Sequence, residues 1–166
     1  LCLLSARSYS LRFAEDLEDV FPHVPFPADH AVFVRAAQLG ARLRRVQTFD
    51  PAQLPARNAD PAFVRLATAP TPGAGLAPSD PEGDRLTICA DGSGQVQGLP
   101  NALWSFEVSG YPVLRRWLEG RAGQPVDLAL FDAFRDVCAR IAEHIDLGAQ
   151  ADTILGDALV ATLNRD

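Results

Sequence analysis

Between residues 50 and 83 the sequence is dominated by Pro, Ala, Gly and Asp. Proline fixes φ and withdraws a backbone donor, and glycine loses most entropy when ordered, so this stretch can neither continue a helix nor form the middle of a sheet. It holds one strand-like island, AFVRLAT at 62–68. The remainder, including TPGAGLAPSDPEG, reads as a loop and flexible connector.

The first flank is helical. Phe13, Leu17, Val20 and Phe21 follow i, i+4, i+7, i+8 spacing, which predicts a helix over 10–21. PHVPFP at 22–27 breaks it. Asp29 is placed to cap a second helix whose inner face carries Val32, Phe33, Ala36, Leu39, Leu43 and Val46. Gly40 inside that helix costs about 1 kcal/mol against Ala, and close packing against another helix accounts for it. Arg42, Arg44 and Arg45 crowd its end, where cations suit the dipole.

The second flank mixes periods. RLTICA (85–90), a DGSG turn and QVQGL (95–99) read as a hairpin. A turn at NALW, a strand-like FEV and an SG corner follow, then a helix opened by Tyr111 and Pro112 and ended by Gly120. Asp127 caps a further helix with Leu130, Phe131, Phe134, Cys138, Ile141 and Ile145 on one face, and Gly148 is expected to stop it. A last helix runs from Ala149 to Leu163, with Ile154, Leu155, Ala158, Leu159 and Thr162 inward. The fold class is α+β: an N-terminal helical pair, a small antiparallel β-sheet or hairpin, and C-terminal helices. The natural divisions are 1–49, a loop-rich 50–83 with one short strand, and 84–166.

A net charge of −6 argues against a generally basic surface that coats nucleic acid. Lysine is absent, so every basic side chain is arginine; a GC-rich genome accounts for such a bias. The chain starts at Leu1 and has no Met, which predicts a piece of a longer polypeptide. LCLL is too short, and lacks the basic flank, for a signal peptide. No apolar run approaches the roughly 20 residues of a membrane span, so no membrane partner is expected. Cys2, Cys89 and Cys138 are few, odd in number and far apart, which fits a reducing, cytoplasmic setting.

Candidate chemistry is sparse. His23, His30 and His144 have no partners at ligand spacing, so no metal site is expected. Gly92 and Gly94 belong to a hairpin turn, with no GK[ST] after them to receive a phosphate. No catalytic residue is assigned.

The stretch WSFEVSGYPVLRRWLEGR, residues 104–121, gathers two tryptophans and three arginines in an acidic chain. As framework, Leu114, Trp117 and Leu118 form an inward stripe over Trp104, Phe106 and Val108, and the arginines confer solubility. As a binding edge, the SGY corner brings N–H groups and a helix N-terminus towards a phosphate. Adjacent arginines then divide phosphate and base contacts between them.

FEVSGYPVLRRWLEGR resembles the "I-G-G-Y-x-V-L-x-K-W-L-x-x-R" block in the C-terminal specificity domain of type ISP restriction-modification enzymes and related adenine-specific DNA methyltransferases, and LPNALW resembles the "V-P-x-x-V-W" lead-in. Residues 9–43, YSLRFAEDLEDVFPHVPFPADHAVFVRAAQLGARL, are similar to the block joining the methyltransferase core to that domain. The tail from LFDAFRDV matches less sharply, and the 50–83 loop is unmatched. His23 stands where the family usually has Arg, Val46-Gln47 where it has Leu-His, and Ser109 where Gly is common.

The resemblance implies a non-catalytic DNA target-recognition domain of an N6-adenine DNA methyltransferase. Residues 1–49 would connect to an upstream methyltransferase core, and residues 84–166 would form the specificity core. It implies double-stranded DNA and that upstream core as partners. It implies no cofactor in this chain, with S-adenosylmethionine serving the whole polypeptide. Base contacts would fall in the loops near 68–84 or 91–95, and the residues expected to face DNA as a set are Arg42, Arg44, Arg45, Arg65, Arg85, Tyr111, Arg115, Arg116 and Arg121. The alternative is a protein–protein docking module without DNA contact, which predicts an exposed apolar patch instead. A small free-standing enzyme would need a polar pocket with convergent titratable groups.

Overall fold

The computed structural model describes residues 1–14, 17, 24–50, 60 and 62–160. The chain divides into two compact units, Leu1–Gln53 with Glu143–Asp166, and Leu54–Ala142.

The first unit is helical. A 3-10 turn at Leu3–Ser5 leads into α1 (Arg7–Arg12), and α2 spans His30–Gln47. The expected helix over 10–21 thus starts earlier; residues 15, 16 and 18–23, with His23, lie outside the described residues. Asp29 caps α2 as its sequence position requires, its carboxylate accepting from the N–H groups of Ala31 (2.7 Å) and Val32 (3.1 Å). Gly40 faces the backbone of Cys2, where a Cβ would lie 3.3 Å from the Cys2 nitrogen, so the close approach is to the chain start and not to another helix.

The helix α5 runs unbroken over Leu128–Val160, and its residues from Glu143 onward belong to this first unit. Two separate C-terminal helices were expected. The single helix forms because Leu147, Ala151, Ile154, Leu155 and Ala158 keep one buried stripe in phase through Gly148. A glycine inside a helix costs about 1 kcal/mol, which that burial exceeds. These residues pack with Cys2, Leu3, Ala6, Tyr9, Val32, Leu39, Leu43 and Val46. Ion pairs join Arg35 to Asp157 and Arg42 to Glu143, both at 2.7 Å. The partner number falls on α5 as it rises on α2, so the two helices run antiparallel.

The second unit holds a three-stranded antiparallel sheet of β1 (Arg65–Thr68), β2 (Arg85–Thr87) and β3 (Gln95–Gln97), in the order β1-β3-β2. The hairpin expected around DGSG is the β2–β3 pair, and the 62–68 island supplies β1. Register aligns Leu66, Val96 and Leu86 in one row, with Val96 and Leu86 buried. Val64 enters β1 at φ +46, unusual for a β-branched residue. Gly98 makes this entry feasible: it has φ +78, and a Cβ there would lie 2.6 Å from the Ala62 carbonyl oxygen.

The stretch expected to be a flexible connector is bonded on both sides. Leu76, buried, bridges Cys89, while the Ala77 and Ser79 N–H groups donate to Ile88 and Thr87 carbonyls beside β2. Gly75 bridges Pro125. The short α3 (Asn101–Trp104) precedes a two-residue ribbon, β4 (Glu107–Val108) and β5 (Tyr111–Pro112), then α4 (Val113–Glu119). Asp127 opens α5 as predicted, accepting from the Leu130 N–H at 2.8 Å.

Candidate nucleic-acid interface

Residues 104–121 form a hairpin followed by a helix, where the sequence suggested a strand turning straight into a helix. Ser109 (φ +51) and Gly110 (φ +75) both lie in the left-handed region, the signature of a two-residue type I′ turn. Val108 and Tyr111 pair across it, each about half exposed, so Val108 lies outside the core in which it was expected. The helix begins only at Val113, whose N–H already donates to the Phe106 carbonyl. The SGY corner and a helix N-terminus are therefore not one phosphate cradle. Leu114 and Leu118 are buried as the stripe predicted, with Trp117 partly so.

The pairing of tryptophan with arginine has a direct physical cause. The Arg121 guanidinium lies 3.9 Å from the Trp117 ring centroid and donates to the Trp117 carbonyl at 3.1 Å. The Arg115 guanidinium lies 5.2 Å from the Trp104 ring and 3.1 Å from the Asp80 carboxylate. Each tryptophan thus presents its π face to a cation. Arg116 pairs with Glu119 one turn on, at 2.8 Å.

The other candidate arginines divide between the units. Arg42 is held by Glu143, and exposed Arg44 and Arg45 close α2, where the Thr48 hydroxyl caps the Arg44 carbonyl at 2.9 Å. In the second unit Arg65 and Arg85 stand opposite Gln97 from either side in the sheet register. The Arg65 guanidinium donates to Gln97 Oε1 at 2.9 Å. Thr68 and Thr87 likewise flank Gln95. Sequence reasoning singled out the arginines but missed Gln95, Gln97, Thr68 and Thr87. For Gln95, Gln97 and Thr87 the signal was the two-residue alternation of R-L-T and Q-V-Q, which puts the polar residues on one face, whereas Thr68 joins them through a register shift after Leu66 that alternation does not announce.

His144 contacts the Gln47 side chain at 3.0 Å, and burial holds its pKa below the usual value. Burial pushes the thiols of Cys2, Cys89 and Cys138 up. In the second unit a small pocket is lined by apolar side chains, among them Leu76, Ile88, Trp117 and Phe131, and offers no titratable group for catalysis. No helix of the described residues is long and apolar enough to cross a membrane.

The sheet, the ribbon and the helical unit define a mixed α+β domain that presents arginine on open surfaces. Residues 2–145 match the family model of the type ISP C-terminal specificity domain, and the chain belongs to that family. Two solved structures are similar in fold. One is a nuclease-deletion mutant of the type ISP restriction-modification enzyme LlaGI in complex with a DNA substrate mimic, at 13% identity and TM-score 0.59, covering 90% of this chain and 13% of that one. The other is the ATP-dependent type ISP enzyme LlaBIII bound to DNA, at 13% identity and TM-score 0.53, covering 99% of this chain and 11% of that one. This chain therefore spans only about a tenth of the length of those enzymes. No curated protein sequence matches it.

Proposed function

We propose that this specificity domain is a non-catalytic reader of double-stranded DNA within an N6-adenine DNA methyltransferase of the restriction-modification type. The observation that carries the reading is the family match over residues 2–145. Exposed Arg44, Arg65, Arg85, Arg115 and Arg116 support it, because guanidinium groups suit phosphate oxygens and guanine edges. Tyr111, exposed at the ribbon, joins them as an aromatic contact. Arg115 and Arg116 exchange their surface pairs with Asp80 and Glu119 for DNA, as Arg42 does its pair with Glu143, and Arg121 stays stacked on Trp117.

In this reading the methyltransferase core lies upstream in the same polypeptide, and S-adenosylmethionine belongs to that core. The reading carries a cytoplasmic location with it, where DNA and a reducing pool for the three buried thiols coexist.

The test is fluorescence anisotropy of labelled duplexes titrated with the protein in its natural full length, at several salt concentrations. Affinity should fall steeply with salt, as counterion release requires. Arg115→Ala with Arg116→Ala should weaken it further without unfolding. Absence of duplex binding at low salt overturns the reading. The docking alternative draws support from one observation. Phe26 and Phe33 in the first unit stack 5.4 Å apart while each stays roughly half exposed, a pairing a protein surface could cover.

A further inference from the structure

We infer that the open face of the three-stranded sheet is the surface that reads base edges, lying against the major groove of duplex DNA; this rests on the DNA-reading function proposed above. The sheet register builds a grid of six polar side chains. One row is Arg65, Gln97 and Arg85, and the next is Thr68, Gln95 and Thr87, where a register shift between Leu66 and Thr68 brings Thr68 opposite Gln95. On the opposite face Val96 and Leu86 are buried and Leu66 is half-buried, whereas on the polar face Arg65, Thr68, Arg85 and Gln95 are exposed and Gln97 and Thr87 half-buried.

Charge and chemistry both select the ligand. The chain has net charge −6, yet none of the three strands contains Asp or Glu. Glu82 pairs with Arg85 across the 82–85 turn at the outer edge of the row, and Asp84 points its carboxylate at the Gly98 N–H, 3.3 Å away. Arginine forks match the paired acceptors of guanine, glutamine amides match the donor and acceptor of adenine, and threonine methyl groups suit thymine.

Dimensions agree. Strands about 4.8 Å apart place Arg65 and Arg85 roughly 10 Å from each other, and the two rows lie about 7 Å apart along the strands. The major groove is about 12 Å wide, and three base pairs rise about 10 Å. The Arg65–Gln97 hydrogen bond holds part of the row in place before DNA arrives. The face therefore suits about three base pairs.

The experiment selects preferred duplexes from a randomised pool with the full-length protein and with Arg65→Ala, Arg85→Ala and Gln95→Ala, each checked for an unchanged melting curve. Each variant should relax the preferred sequence at one or two adjacent positions. On the wild-type site the arginine variants should lose about tenfold or more in affinity, with the salt slope nearly unchanged. An unchanged preferred sequence in all three variants overturns the inference while leaving DNA reading intact. A uniform loss with a salt slope smaller by about one per arginine also overturns it, since that is the mark of phosphate contact. Wild-type protein that selects nothing and binds no duplex overturns the functional reading itself.

Discussion

The guanidinium of Arg121 stacks on the indole of Trp117, 3.9 Å from its centroid, and donates back to that residue's carbonyl. One side chain thereby covers the indole and satisfies a carbonyl at the end of α4. Arg121→Ala should lower stability by about 1 kcal/mol, from lost cation–π contact and lost stem packing. Chemical denaturation followed by tryptophan fluorescence would measure it. An unchanged midpoint would show that the stack is incidental.

Gly148 and Gly98 make opposite predictions. A Cβ at Gly148 meets nothing nearer than the Ser5 carbonyl at 3.9 Å, and the residue lies inside one continuous helix. Gly148→Ala should therefore stabilise by up to about 1 kcal/mol. Were Gly148 a left-handed helix stop, the same change would destabilise. Gly98→Ala should cost about 2 kcal/mol or more, because φ is +78 and the Ala62 carbonyl stands in the way. Thermal melts of both variants separate the cases.

His144 gives the chain an acid sensitivity. Burial disfavours its charged form, so its folded pKa lies below the ordinary 6.5. The unfolded chain then binds more protons once pH falls below about 6.5, and stability declines with pH from there towards the lower folded value. Above that pH the residue adds no slope. His144→Gln should flatten the decline in a pH series of melting temperatures; an equally steep decline in the variant would place its origin elsewhere.

Cys2, Cys89 and Cys138 are all buried and unpaired, and burial raises each thiol's pKa. A charged aromatic disulfide reagent should label almost none of them in the native protein at neutral pH and all three in denaturant. Rapid labelling of the native chain would contradict the burial of at least one.

The sequence was most readable where a local rule acts alone. Asp29 and Asp127 cap as their positions require, and the 3.6-residue stripe found the inner faces of α2 and α5, except that Phe33, expected inward on α2, is exposed beside Phe26. It was least readable where distant partners decide. Nothing near Leu76 announces that its edge partners are Cys89 and Gln124, so a proline-rich stretch looked loose. Gly148 reads locally as a stop, and only burial on both sides of it keeps the helix going. At the candidate interface the arginines were visible as residue types. Their division into stacked, ion-paired and sheet-borne groups depends on Trp117, Glu143 and Gln97, which no spacing rule connects to them.

The make-up of the first unit sets an order of assembly. It draws on residues 1–53 and on residues from 143 onward, whereas the second unit is one uninterrupted stretch. During synthesis the whole sheet has emerged before Leu147, Ala151 and Leu155 exist to cover Tyr9, Leu39 and Leu43. The amino-terminal apolar surface must wait, uncovered, through the making of roughly a hundred residues, and long-range closure of this kind is slow and open to aggregation. A chain cut at residue 145, where the family match ends, would keep the three strands but lose Leu147, Ala151 and Leu155, the α5 side chains packed on that surface.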